Sequence, residues 1–433
     1  MRIKEALVRS NILFITWSIV ASFGAYFCMY AFRKPFNSGL YAELDFAGIG
    51  YKTILIISQV AGYTLSKFAG IKVISELKST FRVKLIIGLI LIAETALLLF
   101  GLVPYPYNFI FLFINGLPLG MVYGVVFSFL EGRRFTEMIA MGLNISIIVA
   151  SGILKTTYIE VHHWLPFISE FWMPFFMGLL FLPFFFVFVW MLDMMPAPTP
   201  EDVKLRTERF PMTAQDKKNV LKEFGLPVFC MLICYIMLIV VRDFRDNFAI
   251  EIWNEIDSGW VSSVLSETEM IIGLVVLVVI GSLAFIKNNL IGFRLTNLVI
   301  FTGILMSGVS TYLFDRHLIS GFFWMLTIGT GMFLAFTVIQ SAVFDRMIAL
   351  FRLKANAGFF VYICESFGYL CSVGLLLYKE FFMKQLSWSN VLMQFIYLQA
   401  GLSLFLLICA NLYFESYRKN SMGKQEKQPL AVL

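Results

Sequence analysis

Cationic side chains lie inside or at the ends of long apolar stretches of this chain. Arg33 and Lys34 end the first stretch. Lys67 lies in the second, and Arg242 and Arg245 end the seventh. A charge at membrane depth is costly unless it faces a partner or a water-filled cavity, so each position is a candidate functional site. Several cations directed at one interior predict a site that holds an anion.

Polar aromatic residues precede two of these cations at helical spacing. Tyr26, Tyr30 and Arg33 are separated by four and then three residues. Tyr63 precedes Lys67 by four residues. These spacings place the side chains on one face of a helix, where tyrosine hydroxyls can donate hydrogen bonds to oxyanions. The alternative is an interfacial belt, in which Tyr, Arg and Lys side chains extend toward lipid head groups.

Acidic residues accompany the cations in two stretches. Asp243 and Asp246 alternate with the two arginines of the seventh stretch, and the i, i+4 spacing predicts that Asp246 pairs with Arg242. These acids either neutralise the arginines or compete with a substrate anion for them. Such competition would let binding of the substrate control a gate. Glu365 lies deep in the eleventh stretch. A buried carboxylate must be paired or protonated, so Glu365 is either an arginine partner or a proton carrier.

Two further charges lie within apolar stretches. Lys155 shares a helical stripe with Asn144 and Ser151 in the fifth stretch. This pattern fits a Lys155 side chain that faces the protein interior and equally one that does not. Glu94 lies in the middle of the third stretch. Glu94 is a weaker candidate for a functional acid than Glu365, because the third helix of twelve-helix bundles is often peripheral.

The sequence patterns of enzymes and cofactor sites are not evident. His162 and His163 are adjacent, but neither is directly next to an acidic or cysteine residue, so a metal site is not indicated. The glycine-containing run 116–120 lacks the Lys-Ser/Thr ending of a phosphate-binding loop. We therefore expect a protein that is not an enzyme and that has no metal site and no cofactor.

The elements that must position these residues follow from composition. The chain is 59% hydrophobic and 14% charged, with a mean hydropathy of +0.81, whereas soluble domains are about 25% charged. A membrane-spanning helix needs about 20 apolar residues, and lipid offers the backbone no hydrogen-bond partners. Continuous apolar runs exclude a barrel, whose strands alternate. Twelve helices are predicted, at approximately 12–33, 53–71, 83–103, 108–130, 138–159, 171–193, 225–248, 261–286, 293–314, 319–344, 355–378 and 391–414.

A polar stretch divides these runs into six and six. We predict an all-α membrane protein with six-helix bundles at 1–193 and 225–414, a cytoplasmic linker at 194–224 and a cytoplasmic tail at 415–433. Most Lys and Arg residues fall in segments on the side of the termini, which places both termini in the cytoplasm. The same bias accounts for the net charge of +6, so no nucleic-acid partner is needed to explain it.

Four segments resemble a known family. The aromatic stretch 24–34 ends in Arg-Lys, and 66–68 is Ser-Lys-Phe. Arg242 follows an aromatic segment, and 357–370 begins Ala-Gly-Phe and ends Phe-Gly-Tyr-Leu. In this order they resemble the major facilitator superfamily. The closest similarity within it is to the organophosphate:phosphate antiporters, which carry glycerol 3-phosphate and hexose phosphates.

This resemblance implies two six-helix bundles around a cavity that opens alternately to each side. It further implies that Arg33 and Arg242, one from each half, bind the substrate, with Lys67 as a third charge. The expected substrate is a small organic anion, such as a phosphate ester exchanged for phosphate. Arg245 and the three tyrosines complete the expected site, and Asp243, Asp246 and Glu365 are the coupling or charge-pair candidates.

Two alternatives remain open at the level of sequence. One is a proton-coupled symporter of a carboxylate or zwitterion, with Glu365 or Asp246 carrying the proton. The other is a transporter-like sensor that binds its ligand and signals through 194–224 without transport. In every case we expect a monomer in a lipid bilayer, in the inner (plasma) membrane of a bacterium.

Overall fold

The structure is a computed structural model that describes residues 2–75, 77–130, 136–197, 214–286, 288–351, 357–383 and 386–426 of the chain. Helices dominate these residues. They are α1 (Arg2–Arg9), α2 (Asn11–Ala31), α3 (Tyr51–Ser75), α4 (Arg82–Leu102), α5 (Phe109–Leu130), α6 (Thr136–Trp164), α7 (Met173–Asp193), α8 (Ala214–Asn247), α9 (Ala249–Ile256), α10 (Ser263–Ala284), α11 (Asn289–Asp315), α12 (Gly321–Val338), α13 (Phe344–Phe351), α14 (Ala357–Phe382) and α15 (Trp388–Glu426).

Short elements join some of these helices. Pro35–Ser38 and Ser79–Phe81 are 3-10 turns, and the π-helical segment Ile339–Val343 connects α12 to α13. Strands β1 (Asp45–Phe46) and β2 (Ile49–Gly50) form a small antiparallel hairpin before α3.

Twelve helical segments of membrane length are present in the described residues, as predicted. Ten are long and apolar enough to cross a membrane by length and composition, with α12 and α13 counted as one segment. The other two, α3 and α14, have 25 and 26 residues and coincide with predicted spans. Both contain charged side chains within their length.

Two helices extend beyond their predicted limits. The seventh span was expected to start at 225, but α8 begins at Ala214 and takes in the end of the predicted linker. The last helix, α15, continues to Glu426 through most of the predicted tail. Lys, Glu and Gln in these extensions are good helix formers, so polarity ends the membrane span without ending the helix. Residues 198–213 of the predicted linker and 427–433 of the tail lie outside the described residues.

The chain forms two compact units. The first comprises Met1–Thr207, Phe244–Leu277 and Val373–Ser389, and the second comprises Glu208–Asp243, Val278–Ser372 and Asn390–Leu433. In the first unit α2 packs against α6 and α7, and α4 packs against α5 and α7. In the second unit α11 packs against α12. The predicted division at 1–193 and 225–414 remains a prediction.

Small residues bring α3 and α5 into backbone contact within the first unit. A Cβ at Gly116 would lie 2.3 Å from the carbonyl oxygen of Gln59, and one at Gly62 would lie 2.1 Å from that of Phe113. Close approach through glycine is typical of membrane helices, whose association relies on tight packing. This contact fixes the position of α3, which carries Tyr63 and Lys67.

Candidate functional site

Asp246 is the centre of a polar cluster in the first unit. Its Oδ2 accepts a hydrogen bond from Lys34 Nζ, and its Oδ1 accepts from Ser151 Oγ and, at 2.5 Å, from Lys155 Nζ. The side chains of Lys34 and Lys155 are 9% and 4% exposed, against 20% for Asp246. We call these four residues the Asp246 cluster. It contains two cations and one anion.

The ends of two helices create the cluster. Lys34 is the third residue after α2, and its N–H donates to the carbonyl oxygen of Tyr30 at 2.8 Å. Asp246 lies in the last turn of α8, where carbonyl groups have no partner within the helix. Lys155 Nζ also donates to the main-chain oxygen of Asp246 at 2.5 Å, so it caps this helix end. A cation there is favoured by the negative end of the helix dipole.

An amide pair extends the Asp246 cluster. Asn247 Oδ1 accepts from Lys34 Nζ at 3.1 Å and from Asn37 Nδ2 at 2.8 Å. Both Asn37 and Asn247 are buried. The side chain of Lys34 is therefore held by Asn247 as well as by the carboxylate of Asp246.

The acids and arginines at the end of α8 pair differently from the expectation. Asp246 was predicted to pair with Arg242, but it binds the two lysines instead. Arg242 donates to Oδ1 of Asp243, from Nε at 3.1 Å and from Nη2 at 2.8 Å. Arg245 pairs with Glu269 at 2.6 Å. The i, i+4 prediction was wrong because cations from other helices reach Asp246 and because Arg242 binds its neighbour in sequence.

The aromatic residues predicted near Arg33 do surround it. The Arg33 guanidinium lies 4.0 Å from the ring centre of Tyr63 and 5.8 Å from that of Tyr30. Tyr26 packs edge-on against Tyr30 with ring centres 5.5 Å apart, and Lys67 Nζ lies 5.3 Å from the Tyr63 ring. Arg33 is only 7% exposed. The structure brings these five residues together, and their binding of a substrate remains a prediction.

Two buried amides fix the backbone next to Arg33. Gln59 Nε2 donates to the main-chain oxygen of Arg33 at 2.9 Å and to Asn115 Oδ1 at 2.8 Å. Asn115 Nδ2 in turn donates to the main-chain oxygens of Phe32 and Ala93, each at 3.1 Å. This chain of hydrogen bonds ties the end of α2 to α3, α4 and α5.

The second unit contains its own polar group. The Arg242 guanidinium lies 4.5 Å from the ring centre of Phe336. Phe336 belongs to α12, the helix that the π-helical segment follows. Gln340 lies in that segment and donates to Glu365 Oε1 at 3.0 Å. Single π-turns within α-helices frequently occur at functional sites. Arg242 thus binds the carboxylate of Asp243, and Glu365 accepts from the amide of Gln340.

A second set of contacts surrounds the first turn of α3 in the first unit. Lys52 forms an ion pair with Glu251 of α9, and its side chain is 7% exposed. Thr53 Oγ1 donates to Glu380 Oε1 of α14 at 2.8 Å. These bonds join the first half of the chain to segments from its second half.

A loop anchor lies beside α7. Glu170 accepts hydrogen bonds from the backbone N–H groups of Leu40, at 3.1 Å, and Tyr41, at 2.8 Å. Burial raises the pKa of Tyr41 well above its usual value, and nearby Tyr158 and Glu170 raise it further. These surroundings favour the neutral hydroxyl of Tyr41.

Sequence reasoning ranked several of these residues too low or overlooked them. Lys155 and Ser151 were noted as one helical stripe, but their partner was not foreseen. Lys52 begins a span, a place where snorkelling toward head groups is the usual explanation. Glu269 follows no pattern that would have identified it. Among the described residues, no group of three or more His, Cys, Asp or Glu is placed to hold a metal ion.

Solved structures share this fold. A POT family transporter, PepTSo, is 13% identical with a TM-score of 0.59, covering 94% of this chain and 98% of that chain. The nucleoside transporter NupG is 14% identical with a TM-score of 0.59, covering 92% and 98%. A POT family transporter in complex with 5-aminolevulinic acid is 13% identical with a TM-score of 0.57, covering 92% and 96%. This likeness confirms the expected all-α, major-facilitator-type fold.

Sequence comparison identifies the family. No curated protein matches the chain. One family model, described as "Family of unknown function (DUF5690)", matches residues 35–417. That match spans most of the 433 residues, so the chain belongs to the family of unknown function DUF5690.

Proposed function

We propose that this protein is a secondary active transporter that moves a small organic anion by alternating access. The observation that carries the proposal is the Asp246 cluster, in which two buried lysines share one carboxylate. Membrane-length helices α6 and α8 contribute Lys155 and Asp246.

The energetics of burial favour a functional role for these charges. Removing an ion from water costs several kcal/mol, and apolar residues of similar volume usually fill such a place at no loss of stability. The first unit nevertheless buries Lys34, Lys155 and Arg33. Intramembrane charges generally mark substrate pathways, and a surplus of cations suits an anionic substrate.

The similar solved structures support transport as the activity. They are POT family transporters and a nucleoside transporter. The substrates of those transporters are not assigned to this protein. The substrate class proposed here rests on the cations of this chain. We propose that the protein lies in the inner membrane of a bacterium, with both termini in the cytoplasm. We further propose that it is a monomer.

The proposed substrate is a phosphate ester or a related oxyanion, exchanged for inorganic phosphate. Arg33 is proposed to bind it with Tyr30 and Tyr63, which border its guanidinium. For Arg242 a role in substrate binding stays a prediction from the sequence, which rests on the ability of a planar guanidinium to hold an oxyanion through two hydrogen bonds. Lys67 contributes further positive charge beside Tyr63.

A proton-coupled symporter is the second candidate, and one observation favours it. Glu365 accepts a hydrogen bond from the neutral amide of Gln340. If Glu365 carries the proton, Glu365→Gln will abolish accumulation driven by a pH gradient and preserve exchange. Unchanged uptake and unchanged pH dependence would remove Glu365 from the mechanism.

A thermal-shift screen tests the substrate class. The purified protein is heated with phosphate esters, inorganic phosphate, carboxylates or amino acids, and its melting temperature is compared with that of the ligand-free protein. A selective rise with phosphate esters and phosphate is the expected result. A rise with amino acids alone would contradict an anionic substrate, because they are zwitterions at neutral pH.

A further inference from the structure

Asp246 occupies the position of a ligand. We infer that its carboxylate is a tethered counter-ion that a small oxyanion displaces, so that Lys34 and Lys155 form an anion-binding site. The inference rests on the proposed function, because it adds Lys34 and Lys155 to the residues proposed to bind the transported anion. Neither lysine was among the binding residues expected from the sequence.

The donors around Asp246 match those that a free oxyanion requires. Lys34, Lys155 and Ser151 all donate to the two oxygens of one carboxylate. Hydrogen bonds from ammonium groups to carboxylate or phosphate are about twice as strong as neutral ones. The Asp246 side chain is also the most exposed of the three charged members, at 20% against 9% and 4%. A ligand from solution can therefore replace the carboxylate without first moving the lysines.

The lysines keep other partners when the carboxylate leaves. Lys155 Nζ remains bound to the main-chain oxygen of Asp246 at 2.5 Å. Lys34 Nζ remains bound to Asn247 Oδ1 at 3.1 Å. Both ammonium groups are thus held in position for an incoming anion, which reduces the entropy lost on binding.

The backbone after Asp246 provides a place for movement. Helix α8 ends at Asn247, and α9 begins at Ala249. Between them Phe248 has φ −115° and ψ 27°, outside the α-helical region. The α-helical conformation is thus interrupted at a single residue, two positions after Asp246.

The charges of the Asp246 cluster favour one class of oxyanion. One carboxylate serves two lysines in this cluster, and a dianion would bring one negative charge for each of them. The neighbouring cations are already paired, Arg245 with Glu269 at 2.6 Å and Lys52 with Glu251. The site is therefore expected to prefer a dianionic oxyanion, such as a phosphate monoester or a dicarboxylate, over a monocarboxylate.

Displacement would also link binding to conformational change. In the ligand-free arrangement Asp246 connects the end of α8 to the end of α2 through Lys34 and to α6 through Lys155. An anion that takes both lysines breaks the carboxylate contacts. Occupancy of the site would then remove the carboxylate contacts from the end of α8 and leave only the bonds of Lys155 to the main-chain oxygen of Asp246 and of Lys34 to Asn247.

Titration of the full-length protein in lipid nanodiscs tests this inference, with inorganic phosphate and succinate as probes. Asp246→Asn removes the competing charge and keeps the side-chain shape, so it should bind its preferred probe about 10-fold more tightly or better. Lys34→Gln and Lys155→Gln should each weaken binding by about 10-fold or more, since each removes a charge-assisted hydrogen bond. The probe whose affinity rises more from wild type to Asp246→Asn identifies the class of oxyanion.

Glu251→Gln is the matched control. It frees another buried lysine, Lys52, from its carboxylate but leaves the Asp246 cluster intact. Because it leaves both lysines of the cluster bound to Asp246, it should change the dissociation constants far less than Asp246→Asn does. An equal gain in affinity in Asp246→Asn and Glu251→Gln would mean that loosening of the fold causes the effect, and it would overturn the inference.

The lysine variants keep the test decisive if Asp246→Asn does not fold. Wild-type affinity in both Lys34→Gln and Lys155→Gln would overturn the inference on its own. If wild type binds a probe and Asp246→Asn, folded, binds it no more tightly, the inference fails and the proposed function stands. If neither wild type nor Asp246→Asn binds either probe, both fail.

Discussion

Lys155 Nζ donates two hydrogen bonds to Asp246, one to its carboxylate and one to its main-chain oxygen, each at 2.5 Å. One buried cation thus neutralises an acid and caps the end of α8. These two contacts place Lys155 among the residues on which stability should depend most.

Lys155→Gln should destabilise the protein substantially. Breaking a buried ion pair typically costs about 3–5 kcal/mol, and the value here should lie near the lower limit because Lys34 remains bound to Asp246. Unfolding in detergent, followed by tryptophan fluorescence, measures the loss. Lys84→Gln is the control, since Lys84 is exposed and its replacement should change stability by less than about 0.5 kcal/mol. Equal stability of the two variants would contradict the structural role of Lys155.

The choice of partner for Asp246 shows where sequence reasoning reaches its limit. The i, i+4 rule considers neighbours on one helix, whereas Lys34 and Lys155 lie 212 and 91 residues away along the chain. The twelve membrane-length helices were predictable because each depends on a local run of apolar residues. The face shared by Tyr26, Tyr30 and Arg33 was predictable for the same local reason. Pairing between helices depends on packing, which a single sequence does not record.

Arg33 variants test the predicted anion site. One charge-assisted hydrogen bond is worth about 1.5–3 kcal/mol, so Arg33→Gln should weaken anion binding by roughly 10- to 150-fold. Arg33→Lys keeps the charge but loses the planar fork and should fall between wild type and Arg33→Gln. Arg242→Lys should also weaken binding. Ligand titration of the three purified proteins measures the change.

Snorkelling to lipid head groups makes the opposite prediction for these variants. Lysine would then serve nearly as well as arginine, and substrate affinity would barely change. Wild-type affinity in Arg33→Lys, Arg33→Gln and Arg242→Lys would identify the arginines as interfacial anchors.

Gly178 on α7 should not tolerate a larger side chain. A Cβ there would lie 2.0 Å from Oε2 of Glu94 on α4. Both carboxyl oxygens of Glu94 are buried, and neither has a hydrogen-bond partner among the described residues. Gly178→Ala should cost about 1–3 kcal/mol through overpacking. Thermal unfolding measures this loss.

Removing Glu94 should relieve the clash. In the double variant Glu94→Ala with Gly178→Ala, the added methyl group enters the space left by the carboxyl. The second substitution should therefore cost less in this background than in wild type. Additive losses would show that Gly178 and Glu94 do not approach one another as the structure indicates.

Topology is testable by labelling single introduced cysteines in cells. Positions 205 and 420 should react only with reagents that reach the cytoplasm, because the surrounding segments are rich in Lys and Arg. Positions 163 and 256 should react from outside. Labelling of all four positions from the same side would contradict the twelve-helix topology.

Counterflow in proteoliposomes tests the central claim, transport of an anion, most directly. Vesicles are loaded with an unlabelled phosphate ester selected by the thermal-shift screen, and the same labelled ester is added outside. A transporter will accumulate label transiently above its external concentration, and unloaded vesicles will not show this overshoot. A sensor would bind the ester without moving it. Binding to the protein together with uptake no greater than in protein-free vesicles would contradict the proposed function.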